Sequence, residues 1–342
     1  MSKDHPALSS AEATAGRIRA IVPDDLADRF CREGGITKDD FHPCAPIPSR
    51  EVCAVDGSNA LLLETGSMGV AVYRAAQSTF FDRERVKRSL SPLSFSLIGP
   101  AEINEDFPGL YKECFGQAPG SQLKNDDRIR VAGILRDTLE FWITQQMAYS
   151  LSPGAILLRD GPLRVSHASH DPVLSGIARA CRDQKIDLAG VSKRTSATWG
   201  GGYPLLPSIA GIADTFGIPA PWWMRVDPDM LDHTQYTQWQ HGHPYVVCLH
   251  RKARSLLKVD LFPGIHDTHV TEIMGRLAGC SGDGRVPGYP YPLLDAHRTV
   301  VLTDEIVEEA RSDLMRRLVA SGIKRRTYEI LFGDYHDEFA RY

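Results

Sequence analysis

The amino-acid sequence predicts an α/β fold, a mixed sheet flanked by helices with helical additions at both ends of the chain. Three observations carry that expectation. The apolar run Val52 to Val55 meets Asp56-Gly57, and a second run, Ala155 to Leu158, leads through Arg159 to Asp160-Gly161. Between them, Val131, Leu135, Leu139, Trp142 and Met147 recur close to the helical period, which predicts one long helix from Asp127 to Ser150. Strand-like runs at Gly69 to Ala76 and Leu93 to Ile98 fill the interval, so the order from Glu51 to Asp160 reads β-β-β-α-β.

Taken in order, Met1 to about Pro48 is polar and broken by prolines at 6, 23, 43, 46 and 48, with helical patterning from Ala11 to Phe30. It is expected to be an N-terminal helical arm, residues 1–48, that packs on the core or serves as a docking element; residues 49–342 then form the main domain. Arg159 is polar where an aliphatic residue is expected, which places its strand near an edge or near a ligand. Later in the chain, Ile209 to Phe216 and His266 to Ala278 read as helices and Tyr245 to Leu249 and Leu256 to Phe262 as strands. Asp304 to Ser321 reads as a charged amphipathic helix with Thr303 as its N-cap.

A single Asp-Gly is an ordinary turn signal. Two of them, each closing a buried type of strand, bring two carboxylates to the carboxyl edge of one sheet, where open sheets place ligands. Carboxylates held together repel unless a cation sits between them, and hard oxygen ligands select Mg²⁺ or Mn²⁺. The long helix adds Glu140, with Asp137 three residues earlier on part of the same face; a solvated helix carries such acids too. The pattern is that of a metal-dependent phosphodiester hydrolase. An acid on the first strand, one on the following helix and one ending the next strand resemble the ribonuclease H-like nuclease fold.

Composition narrows the possibilities. The chain has 342 residues, 42% of them hydrophobic, enough for one large core. A formal charge of −4 argues against a protein that coats duplex DNA through a large basic face. Local clusters at Arg83 to Arg88, His250 to Arg254 and Lys324 to Arg326 could guide a backbone, or could be solvated faces. Trp199-Gly-Gly-Gly-Tyr203 and Pro221-Trp222-Trp223 could stack unpaired bases, but core packing is the expectation for at least Trp222 or Trp223. The cysteines at 31, 44, 53, 114, 181, 248 and 280 are dispersed, as reduced core thiols are. No apolar run of membrane-spanning length and no signal-peptide core is visible, so a cytoplasmic location is expected. Gly279 to Gly288 lacks the Gly-Lys-Ser/Thr ending of a phosphate-binding loop, so any ATP-driven motor is expected to be a partner.

Four segments in order resemble the NurA nuclease family: Val55-Asp56-Gly57-Ser58, Leu158-Arg159-Asp160-Gly161-Pro162-Leu163, Gly190-Val191-Ser192-Lys193, and Gly288-Tyr289-Pro290-Tyr291-Pro292-Leu293-Leu294-Asp295-Ala296-His297. The resemblance implies a Mn²⁺-dependent DNA nuclease, active on single strands and 5′ ends, that forms a homodimer and docks on the hexameric ATPase HerA, in DNA repair or in anti-phage defence. Asp56 and Asp160 match the family's two strand-end metal ligands. Glu140 is the candidate for its helical acid, with Glu102, Glu105 and Glu113 as competitors. Lys193 matches the lysine closing the next strand, and Tyr289 and His297 match the Tyr-Pro and Ala-His elements, with Tyr291 in a second Tyr-Pro. In a two-ion scheme Asp56 would bridge the ions and Glu140 and Asp160 would complete the coordination. Lys193 would offer a point charge to a phosphate oxygen, and His297 would bind metal or move a proton.

Two rival functions remain open at this stage. His241-Gly-His243 and His266-Asp-Thr-His269 could ligate a transition metal in a hydrolase of another class, although neither has the i, i+4 spacing of a helix-borne pair. The chain could also be a non-catalytic assembly subunit of a DNA translocase, against which the presence of Asp56, Asp160, Lys193 and His297 speaks.

Overall fold

The computed structural model describes residues 11–99, 106–124, 127–232, 240–324, 326–327 and 330. In chain order they form α1 (Ala11–Ile21), α2 (Leu26–Gly34), β1 (Phe41–Pro43), β2 (Glu51–Glu64), β3 (Gly69–Phe81), β4 (Glu84–Leu90), β5 (Ser94–Ile98), α3 (Asp106–Phe115), α4 (Arg128–Ser150), β6 (Ile156–Asp160) and α5 (Asp171–Asp183). These are followed by β7 (Asp187–Ser192), β8 (Thr198–Trp199), β9 (Tyr203–Pro204), α6 (Leu205–Thr215), β10 (Trp222–Arg225), β11 (His243–Cys248), β12 (Leu257–Leu261), α7 (Asp267–Gly279), α8 (Tyr291–Val300) and α9 (Asp304–Ala320). The chain divides into two compact units. One comprises Arg50–Asp160, Arg164–Leu188 and Pro292–Tyr342, the other Met1–Ser49, Gly161–Leu163 and Ala189–Tyr291.

The first of these is built around β2, whose residues Val52 to Asp56 are buried without interruption. It pairs antiparallel with β3 along almost its whole length and parallel with β6, from Val52↔Ile156 to Val55↔Arg159. A parallel neighbour cannot be reached by a hairpin, and the crossover is supplied by the α3 and α4 region. The strand β3 is long enough to hold two partners end to end: β5 along Gly69 to Tyr73 and β4 along Ala76 to Phe81. The basic run expected as a surface cluster is therefore a strand. All of β4 is exposed, and its charges suit an edge that must not pair with another chain.

The predicted long helix is α4. Asp127 caps it by accepting from the Arg130 amide at 3.0 Å, and buried residues occur all round it, Asp137 and Glu140 included. The C-terminal helix is also present as α9, where Ala310 packs with Leu62, Leu63 and Val72 and the Arg311 guanidinium donates to the Leu62 carbonyl at 3.0 Å.

In the other unit the strand order is β1-β10-β11-β12-β7, with each neighbouring pair antiparallel. The helical patterning from Ala11 to Phe30 forms two helices, separated around Pro23. The first, α1, has no buried residue, whereas α2 sets Leu26 and Phe30 into a core with Trp199, Leu205, Ile209, Ile212 and Trp222. Trp199, Trp222 and Trp223 are all buried, so packing and not base stacking accounts for them. All seven cysteines are free; burial pushes the thiols of Cys44, Cys53, Cys181 and Cys280 up to about 12, which leaves them unreactive. No helix among the described residues is long and apolar enough to cross a membrane.

Candidate metal centre

Asp56 is buried at 4% exposure, and its strand does not end there: β2 continues through Gly57 to Glu64. The sequence suggested a strand end; the structure shows an aspartate in the middle of a strand. Asp160, one position beyond the Val55–Arg159 pair that ends the parallel β2–β6 ladder, does close its strand. Because the two strands run parallel with Val55 beside Arg159, the two aspartates emerge as neighbours. His297 joins them from α8. Ligand atoms of Asp56, Asp160 and His297 all lie within 4.8 Å of one another, and among the described residues no other group of three or more histidine, cysteine or acidic side chains comes so close.

The local hydrogen bonds shape this trio as a ligand set. Asp56 Oδ1 accepts from the Gly57 amide at 2.8 Å, and Oδ2 faces His297 Nδ1 at 2.8 Å. An ionised carboxylate can only accept, so it places the imidazole proton on Nδ1 and leaves the lone pair of the neutral ring on Nε2. Two hard oxygen donors and one imidazole are a donor set that suits Mn²⁺ and is acceptable to Mg²⁺. The residues present thus fit the divalent cation that the fold implies.

Glu140 and Asp137 stand behind the trio on α4. Glu140 Oε2 accepts from the Arg159 guanidinium at 2.9 Å and Oε1 lies 3.2 Å from Arg136 Nε. Asp137 accepts from Arg136 at 2.7 Å and from the Ser166 hydroxyl at 2.6 Å. Arg159 is buried at 4% exposure, its guanidinium 4.7 Å from the centre of the Phe141 ring. The polar misfit in β6 is thus an internal counter-ion to two helical acids and not a mark of an exposed edge. The signal for it was present in the sequence: one arginine in an apolar strand following a helix with two acids three residues apart.

Asp56, Asp160, Asp137 and Glu140 set four carboxylates against the two guanidiniums of Arg136 and Arg159, an excess of acid that protons or a cation would offset. Burial pushes the Glu140 carboxyl up to about 7, the two arginines working against the shift and Asp137 and Asp56 adding to it. For Asp137, burial also opposes ionisation, but Arg136, Arg159 and the Ser166 hydroxyl outweigh it and hold the group below its usual value. Gly57 makes the close approach possible. A Cβ at that position would meet Glu140 Oε1 at 2.4 Å and Arg136 Cγ at 2.7 Å.

Lys193 follows β7 and places Nζ 5.0 Å from the ring centre of Tyr289, a contact within the second unit. Tyr289 is buried, whereas Tyr291 opens α8 with its amide on the Cys280 carbonyl at 2.9 Å. Glu113 is exposed on α3, and Glu102 and Glu105 lie outside the described residues. His266 caps α7 and His269 faces Glu272 at 3.3 Å; among the described residues neither they nor His241 and His243 belong to a metal-sized group.

Fold and site together define an α/β protein in which the neighbouring parallel strands β2 and β6 carry two carboxylates that meet a histidine from helix α8. Residues 50–198 match the family model described as the NurA domain, so this stretch of the chain is similar to that domain. No curated protein sequence matches it. Among solved structures, it is similar to the NurA nuclease from Sulfolobus solfataricus, at 14% identity and a TM-score of 0.55, over 91% of this chain and 98% of that one. A second NurA structure aligns at a TM-score of 0.62 and 11% identity, over 94% and 100%. A third, NurA bound to dAMP and manganese, aligns at a TM-score of 0.58 and 10% identity, over 93% and 99%. At these identities the likeness speaks for the fold.

Proposed function

We propose that this chain is a Mn²⁺- or Mg²⁺-dependent deoxyribonuclease, a single-strand endonuclease and 5′–3′ exonuclease. The observation that carries the reading is the convergence of Asp56, Asp160 and His297 within 4.8 Å. Asp56, Asp160 and His297 would hold the metal, and Glu140, against Gly57, is the candidate for a further ligand when two ions bind. A divalent ion there supplies activation of a water and stabilisation of charge on the leaving oxygen. The chain's own groups do the rest: Asp56 orients the imidazole, and Lys193, steadied against Tyr289, offers a point charge to a phosphate oxygen. Such contacts read the backbone and not the bases, so little sequence preference is expected. The dAMP and manganese of the related NurA structure support the assignment to nucleic acid.

The reading extends to a homodimer working on a ring-shaped, HerA-like ATPase in end processing, repair or anti-phage defence; the match of residues 50–198 to the NurA domain is what supports it. Cleavage of a labelled single strand in Mn²⁺, compared with EDTA and with Asp56→Asn, tests the activity. A folded wild-type protein that cuts equally in EDTA, or an Asp56→Asn variant that cuts at the wild-type rate, would sink the assignment. Light scattering and a pull-down against the ATPase test the assembly.

A further inference from the structure

Helix α8 brings His297 to Asp56, and the question is what holds the helix at the right rotation. Leu293, Ala296 and Val300 are fully buried and form its apolar seam. Dispersion and burial are non-directional, so such a seam secures the helix without fixing its rotation closely. Polar pegs on one face of the central strands do that. Asp56 lies opposite Ala76, and Arg74 and Ser78 are two residues to either side of Ala76, so all four residues share a face of the sheet. At the C-terminal end of α8, Arg74 donates to the carbonyls of Val300 and Val301 at 2.9 and 2.8 Å. Nearer its start, the Ser78 hydroxyl donates to Asp295 Oδ2 at 2.7 Å.

The Asp295 carboxylate is gripped from a second strand as well. Arg88 donates to it through Nη2 at 2.5 Å and Nε at 3.3 Å, and Arg85 through Nη1 at 3.0 Å. Residues three apart on a regular strand point to opposite faces. Here the β3–β4 register passes from Thr79↔Lys87 to Phe80↔Arg85, so Val86 is an extra residue, and the bulge turns Arg85 and Arg88 to the same side. Asp295 and His297, two residues apart, leave the helix about 200° apart around its axis. Asp295 is therefore tied on one flank and His297 on the other, and the two ties together fix the rotation of α8.

We propose that Asp295, clamped by Ser78, Arg85 and Arg88, is a positioning residue that sets the reach of His297 into the metal centre; this rests on the metal-centre reading given above. It touches neither Asp56 nor Asp160, and acts through the histidine alone. The test is a double-mutant cycle read as Mn²⁺ affinity, by titration calorimetry on the full-length protein: wild type, Asp295→Ala, His297→Ala and the double variant. Asp295→Ala and His297→Ala should each weaken binding by about 10-fold. The double variant should be no weaker than His297→Ala, because the clamp has nothing left to position. Should Asp295→Ala fail to fold, the same cycle with Ser78→Ala, which removes one hydrogen bond, should show a loss of about threefold that vanishes in the His297→Ala background. Losses that multiply in the double variant, or a folded clamp variant with wild-type affinity beside a weakened His297→Ala, would overturn the inference alone. Unchanged affinity in His297→Ala would instead overturn the metal-centre reading, and this inference with it.

Discussion

Asp160-Gly161 ends a strand, whereas Asp56-Gly57 lies inside one, although the two dipeptides look alike in the sequence. At the first, Gly161 has φ +97°, a backbone setting that a side chain resists, and the chain turns away directly after its carboxylate. At the second, β2 runs on to Glu64 and the glycine is needed for room: Glu140 and Arg136 of α4 occupy the space a Cβ would take. One glycine serves the chain's own conformation and the other serves a helix some eighty residues away. The meaning of a dipeptide is thus set by what packs on it as much as by its intrinsic preference.

The largest expected effect separates the two aspartates. Asp56→Asn and Asp160→Asn should each abolish Mn²⁺-supported cleavage with the fold retained, since an amide keeps the size and removes the ligand charge. Asp56→Asn should additionally release His297, whose Nδ1 faces Asp56 at 2.8 Å. Imidazole resonances followed by NMR should shift more in Asp56→Asn, which loses the direct contact, than in Asp160→Asn; equal shifts would erase the distinction.

Next comes Glu140, on the side of Gly57. Its folded pKa, near 7, lies above its ordinary value of 4.5, so the native state holds more proton than the unfolded chain between those values. Stability therefore falls as pH rises through that window. Asp137 has the opposite sign: its lowered pKa means that stability is lost as pH falls through the acid range. Urea unfolding in EDTA, measured from pH 4.5 to 7, should show the wild type losing stability relative to Glu140→Gln as pH rises. A constant difference would remove the raised carboxyl. In the nuclease assay Glu140→Gln should behave like the aspartate variants and Asp137→Asn should be mild.

The glycines themselves should respond differently. Gly57→Ala forces a methyl group into a filled, charged space and should cost about 1–3 kcal/mol, with weakened cleavage because Glu140 moves. Gly161→Ala meets backbone strain, and about 1 kcal/mol or slightly more is expected, falling on the turn and not on Glu140. Urea midpoints measure both. The pH dependence of stability tells them apart, since only Gly57→Ala should alter the Glu140 window.

Much of the fold was legible from local patterns. The helical repeat from Val131 to Met147 announced α4, and the apolar runs before Asp56 and Asp160 announced β2 and β6, because burial imposes its period directly on the side chains. The strand β4 was not, since an exposed edge has no apolar face to write into the sequence and Arg85 to Arg88 read as a charge cluster. The burial of one of Trp222 and Trp223 was expected and that of both was not, since a pair of adjacent tryptophans does not say which faces are covered.

For the site, the sequence by itself determined which side chains could bind a cation, because carboxylate and imidazole chemistry belongs to the residue, and the motif order from Asp56 to His297 pointed to their shared use. Tertiary structure alone decided the grouping. The parallel β2–β6 register sets Asp56 beside Asp160, and α8 carries His297 across an interval of more than 200 residues to meet them. It also decided that Arg159 and Arg136 stand against Glu140, an arrangement with no local signature, since the strength and direction of a buried charge's environment come from neighbours distant in sequence and from the water that packing excludes.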